Sequence, residues 1–262
     1  MAMVYGFTAD RFRFLSVSRV LRLFRWAGLK FVETTMAVFD DASGALRLAE
    51  GMAFGLHLPN AGNRGYDFAS LRRAEQIRAD LQRIRMHGPA FGFRYAVFHP
   101  PEGESRGRVT DFFIRNLSDT GLPLVLENIR GYRAGNFIRY YRRVKGELQD
   151  RLAGVCFDVP HAYLTDPDWK TFFRIVAPEV RVVHLSNPRH GEDQHLPLGR
   201  QGPFPLEATL AFLHNAGYNG VVNFEILPPS LFGLTRLFAM VRWLEQRFGM
   251  PSSDAQTNGR IA

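Results

Sequence analysis

The stretch HLSNPRHGEDQHLPLG (184–199) carries His184, Asp193 and His195 in a segment rich in Pro and Gly. Imidazole and carboxylate side chains brought together without a thiol are ligands for zinc, manganese or iron rather than for magnesium or calcium alone. Six more residues of the same chemistry close short apolar runs elsewhere: His57, His99, Glu127, Asp158 with His161 just beyond it, and Glu225. Five of the chain's eight histidines fall in this one register. Four carboxylates and five imidazoles are costly to bury together unless cations compensate them. Nine ligands exceed the need of one ion and suit two or three per chain, with zinc ahead of manganese and iron. Three divalent ions against four carboxylates would leave a net positive pocket suited to phosphate.

Side chains this far apart can meet only if their strands converge. The runs 3–7, 30–36, 53–58, 94–100, 123–128, 154–159, 181–186 and 220–226 are short, rich in Val, Phe and Leu, and read as buried strands. Amphipathic stretches at 12–26, 67–86, 107–120, 136–151, 168–177, 205–216 and 230–247 read as helices between them, and 37–52 as a loop with a short helix. Eight alternations predict an α/β fold, a single (β/α)8 TIM barrel over 1–249 with its metal site at the carboxyl ends of the strands. A doubly wound sheet would want a G-x-G-x-x-G turn, and the chain contains none. The polar end, 250–262, reads as a disordered tail.

Composition narrows the setting. No secretory signal and no apolar run of membrane-spanning length is visible, so no membrane partner is expected. With a single cysteine, Cys156, no internal disulfide is possible and a cytoplasmic location is the default. The net charge of +8 is almost entirely arginine; Lys30, Lys145 and Lys170 are the lysines among 33 basic residues. That skew reads more readily as an arginine-rich surface than as a nucleic-acid footprint, and it suits an anionic substrate. The segment 130–143 interleaves arginines with aromatics as a single-strand nucleic-acid surface would. Its helical spacing of Phe137, Tyr140, Tyr141 and Val144 favours a helix packed on the barrel.

The segments GLHLP, VFHP, LVLENI, GVCFDVPHAY, VVHLSNPRHGEDQHLPLG and GVVNFEI resemble the signature segments of the xylose-isomerase-like TIM-barrel superfamily. That superfamily holds sugar-phosphate isomerases and epimerases and the endonuclease IV apurinic/apyrimidinic endonucleases. The resemblance implies that His57, His99 and Glu127 hold one ion. Glu127 would bridge to a second, held also by Asp158, His184 and Glu225, and His161, Asp193 and His195 would hold a third. Around these positions the chain departs from the family's pattern, with His-Pro-Pro-Glu at 99–102, Pro160 before His161 and Gly-Arg-Gln-Gly at 199–202.

Two chemistries suit these residues. One is metal-assisted cleavage of a phosphoester in a sugar-phosphate-like or abasic nucleic-acid substrate, with Glu127 or Glu225 orienting water. Arg200, Arg130 and Arg133 would then grip phosphate, and Glu33, ending the second strand and facing the same mouth, would contact substrate or enter a core salt bridge. The other is isomerisation or epimerisation of a sugar or sugar phosphate at one ion, with Glu127 and Glu225 passing a proton on the two faces of the substrate. A non-catalytic binding barrel is the third class, and no ligand position is visibly lost to support it.

Overall fold

The computed structural model describes residues 3–11, 15–48, 50–102, 106–189, 192–196, 204–226, 239–240, 243–244 and 246–247. Eight parallel strands close into a barrel: β1 (Val4–Ala9), β2 (Phe31–Thr35), β3 (Ala53–His57), β4 (Ala96–Phe98), β5 (Leu124–Glu127), β6 (Leu152–Asp158), β7 (Val180–Leu185) and β10 (Val221–Phe224). Neighbours in sequence are neighbours in the barrel, and β10 pairs with β1 to close it. Between β7 and β10 the chain adds a separate antiparallel hairpin, β8 (Asn187–Arg189) with β9 (Glu192–Leu196).

Because side chains alternate along a strand, each strand serves two cores. One set points into the barrel, where Phe31, Tyr95, Val97, Val125, Cys156, Val182 and Val221 pack together as its floor. The other set, including Val32, Phe54, Leu126, Phe157, Val183 and Val222, packs outward against the helices. Those helices are α1 (Val17–Trp26), α2 (Ala42–Leu48), α3 (Ala61–Arg64), α4 (Ala74–Phe91), α5 (Asp111–Ser118), α6 (Ala134–Leu148), α7 (Val159–Thr165), α8 (Trp169–Val176) and α9 (Leu206–Asn215).

The amphipathic periods turn the expected faces inward. α1 buries Val17, Val20, Leu21 and Phe24, and α6 buries Phe137, Tyr140, Tyr141, Val144 and Leu148. Four local differences from the sequence reading have physical causes. Helix α4 starts at Ala74, not 67, because Asp67 folds its own carboxylate back onto the Ala69 N–H at 2.9 Å and holds a turn. It then runs through Pro89 to Phe91, since a proline in the last turn removes only one N–H from the ladder. Between the strand read at 181–186 and the helix read at 205–216, where the sequence suggested no element, stands the β8–β9 hairpin. After β6 a short helix, α7, begins where Asp158 caps it and Pro160 occupies its first turn. Of the expected helix at 230–247, the described residues 239–240, 243–244 and 246–247 are helical, with Leu244 buried; the expected tail, 250–262, lies outside the described residues.

Candidate metal centre

Above the apolar floor, inward-facing candidate ligands stand at the ends of six strands. His57 ends β3, Glu127 ends β5, Asp158 ends β6, and His184 sits one residue before the end of β7. His99 follows β4 and Glu225 follows β10 in the same register. Glu127, Asp158, His184 and His57 are buried, and Glu127 and His184 have no exposed surface. The ligand atoms of Glu127, Asp158, His184 and Glu225 lie within 4.8 Å of one another, as do those of His57, His99 and Glu127.

Glu127 is the shared member. Its Oε2 is 3.3 Å from His57 Nε2, 3.2 Å from His99 Nε2 and 3.4 Å from His184 Nδ1, while its Oε1 is 3.3 Å from His161 Nδ1. Yet neither oxygen makes a hydrogen bond of acceptable geometry among the described residues, and neither does His184 Nδ1. Buried polar atoms are ordinarily satisfied. Unpartnered lone pairs converging from carboxylate and imidazole fit a divalent cation, so the donor set suits the metal that its chemistry implies.

Each ring has an acceptor of its own, which meets the nitrogen turned away from Glu127 in His57, His99 and His184, and in His161 meets Nδ1, the nitrogen that also faces Glu127. His57 Nδ1 donates to the Leu58 carbonyl at 2.8 Å, and His161 Nδ1 to the Asn128 carbonyl at 2.9 Å. His99 Nδ1 is 3.4 Å from Glu102, and His184 Nε2 is 3.1 Å from Glu33. Such acceptors fix the tautomer and leave the opposite nitrogen free as a ligand. Asn128 braces the carboxylate side: it exchanges two 2.8 Å hydrogen bonds with the backbone of Asp158, clamping the ends of β5 and β6 together. Asp158 Oδ1 in turn accepts from the His161 N–H at 2.5 Å and caps α7.

The electrostatics describe a cluster waiting for positive charge. Burial works against the charged form of His57, but Glu127, Glu225 and Glu33 outweigh it and raise its pKa to about 9. His99 is raised as well, and His184 well above the usual imidazole range, again against the opposing effect of burial. Burial alone would raise Glu127 and Glu225, but the surrounding histidines hold both carboxyls well below the usual range. Burial pushes the Cys156 thiol well up, so it stays protonated beneath the cluster as a neutral neighbour of Glu127 and His184.

The remaining expected residues are placed as follows. His195, in β9, reaches over the mouth with Nδ1 3.3 Å from the Glu225 carbonyl and 3.6 Å from its Oε2. The side chain of Asp193 and all of Arg200 lie outside the described residues. Arg130 and Arg133 are exposed on the β5–α6 connection at the rim. Glu33 is fully buried and faces His184 from below. Beside the rim, a cleft of about 450 Å³ is lined by Arg106, Tyr132, Asn136, Arg139, Tyr140 and Arg143, so α6 packs its aromatics inward while its arginines edge this cleft. Sequence reasoning assigns no role to Tyr95 or to Gly55, which border Glu33; the inward positions of Tyr95 just before β4 and of Gly55 on β3 are the available signal.

The sequence model of the family described as xylose isomerase-like TIM barrel matches residues 21–246. Among solved structures, an AP endonuclease of family 2 from Brucella melitensis is similar with a TM-score of 0.70 at 16% identity, covering 95% of this chain and 100% of that one. A D-allulose 3-epimerase from a Methylomonas species, in complex with D-allulose, gives 0.67 at 14% identity over 94% and 98%. A 3-keto-D-glucoside 4-epimerase from E. coli gives 0.66 at 16% identity over 93% and 99%. These identities speak to the fold alone. No curated protein matches the chain.

Proposed function

The chain belongs to the family of xylose isomerase-like TIM barrels, and from that premise we propose that it is a divalent-metal-dependent hydrolase with a di- or trinuclear site of the endonuclease IV type. Its substrate in this reading is a phosphoester, carried by a sugar-phosphate-like molecule or by abasic nucleic acid. The observation that carries the reading is the sharing of Glu127 between two ligand groups, His57 with His99 on one side and Asp158, His184 and Glu225 on the other. A single-ion enzyme gives His57 and His99 no role; a bridged pair uses both.

Divalent ions held there, zinc ahead of manganese and iron, would acidify an attacking water and stabilise charge on the transferring phosphoryl group. The chain's own residues do the rest. Glu225, at the open edge of the cluster with 11% of its side chain exposed, receives the proton of the attacking water. Glu127, buried between the two groups, holds them in register. Arg130 and Arg133 at the rim, with Arg200, bind the non-reacting phosphate oxygens, and the arginine cleft beside them accommodates an anionic extension of the substrate. In this reading His161, Asp193 and His195 would form the third group.

One observation favours a second reading, isomerisation or epimerisation of a sugar or sugar phosphate at a single ion. Glu127, Asp158, His184 and Glu225 by themselves make one compact group, with two carboxylates able to serve opposite faces of a substrate. Elemental analysis of protein purified without added metal or chelator separates the two, combined with assays on phosphodiesters, phosphomonoesters, abasic oligonucleotides and ketose–aldose pairs. Two or three ions per chain and phosphoester cleavage are expected. A single ion with sugar interconversion and no ester cleavage would replace the first reading by the second.

A further inference from the structure

A carboxylate lies beneath the cluster. Glu33, on β2, is fully buried, and its Oε2 accepts the Tyr95 hydroxyl at 2.9 Å and lies 3.1 Å from His184 Nε2. No arginine or lysine is recorded as pairing with it among the described residues; it sits between the apolar floor and the cluster, with Tyr95 and His184 on Oε2, Oε1 without a hydrogen bond, and His57 and Glu225 within 4.8 Å. The close fit extends to the backbone. Gly55 is the register partner of Glu33 on β3, and a Cβ there would fall 2.6 Å from the Tyr95 ring and 2.8 Å from its hydroxyl. The missing side chain at Gly55 is the space through which Tyr95 reaches Glu33.

We propose that Glu33, braced by Tyr95, is a positioning residue that keeps the proton of His184 on Nε2 and so presents Nδ1 to a divalent cation. The inference rests on the metal reading and deepens it. The other site histidines lean on backbone carbonyls or on the half-buried Glu102, but His184 leans on a fully buried charge. A carboxylate behind an imidazole fixes the ring, excludes the wrong tautomer and makes the ligand nitrogen more basic. His184 Nδ1 stands 3.4 Å from Glu127 and 3.5 Å from Glu225, where that basicity is used.

The test has two readouts. In metal-free protein labelled with 15N-histidine and titrated to the alkaline pH at which the ring is neutral, NMR should find His184 as the Nε2–H tautomer, retained in Glu33→Gln, which keeps the acceptor, and lost in Glu33→Leu. Titration with Zn2+ or Mn2+ should then show affinity reduced by ~10–100-fold in Glu33→Leu, and less in Glu33→Gln and Tyr95→Phe. Thermal unfolding of each metal-free variant checks that it folds. Glu33→Gln and Glu33→Leu both binding as wild type, or His184 keeping its tautomer in Glu33→Leu, would overturn the inference while leaving the metal reading intact. A wild-type chain that takes up no ion overturns the metal reading, and with it the presentation of Nδ1 to a cation.

Discussion

Two regions supply the candidate ligands, and they are built differently. The strand-end side chains His57, His99, Glu127, Asp158 and His184 hang from a closed ladder, and their relative positions are set by registers such as Asp158 opposite His184 and His57 opposite Val97. The hairpin residue His195 hangs from a ribbon that pairs only with itself, and its backbone sits in the left-handed region at φ 47. Its side chain is 32% exposed, whereas His184 is completely enclosed. The ladder fixes a geometry; the hairpin extends one over the mouth.

The comparison is broken most severely at Glu127. Glu127→Gln removes the carboxylate common to both strand-borne groups, so activity should fall by more than the ~10–100-fold typical of a residue one layer out, and bound metal should fall with it. If metal content and rate survive, the strand ends are not the centre. Asp193→Ala sharpens the contrast from the other side. The hairpin variant should lose one ion and keep those held by the strands, with a rate loss of roughly 10–100-fold; elemental analysis of the pair decides. Loss of every ion in Asp193→Ala would mean that the hairpin, not the ladder, organises the site.

The smallest effect is one of pH, and it belongs to the strand ends. His57 has a folded pKa of about 9 against an ordinary 6.5, so the stability it contributes to the metal-free protein is full below pH 6.5 and lost as pH rises through about 9. Each tenfold gain in proton affinity on folding is worth at most ~1.4 kcal/mol. The Tm of the metal-free protein should therefore decline across this window. The loaded protein should not follow it, because metal replaces the proton, and metal affinity should rise with pH. Parallel declines in the two forms would show that His57 is not a ligand.

The sequence disclosed the strand ends because their chemistry is local: a histidine or a carboxylate closing an apolar run is visible in one line of text. It also disclosed the alternation of strands and helices, since α1, α5, α6, α8 and α9 carry clean amphipathic periods. The hairpin was hidden because Pro188 and Gly191 read as loop residues. Helix α7 was hidden because Asp158 read as a ligand alone, when an aspartate two residues before a proline is also a helix start. For Glu33 the turn toward the barrel mouth and a core salt bridge as one reading were legible, but its partner was not. Its partner His184 is 151 positions away along the chain, and only closure of the barrel brings them together.

The reciprocal clamp of Asn128 on Asp158, the cap of α7 and the acceptors behind each imidazole all exist as protein–protein contacts that need no cation. On the proposed metal reading the barrel would fold first and take up its ions second, into a cage already shaped. A cage of mixed nitrogen and oxygen ligands discriminates poorly among divalent first-row metals. On that reading the occupant would be set by which ion the cell keeps in supply when the new chain emerges, and the same polypeptide made under two metal diets would carry two different metals.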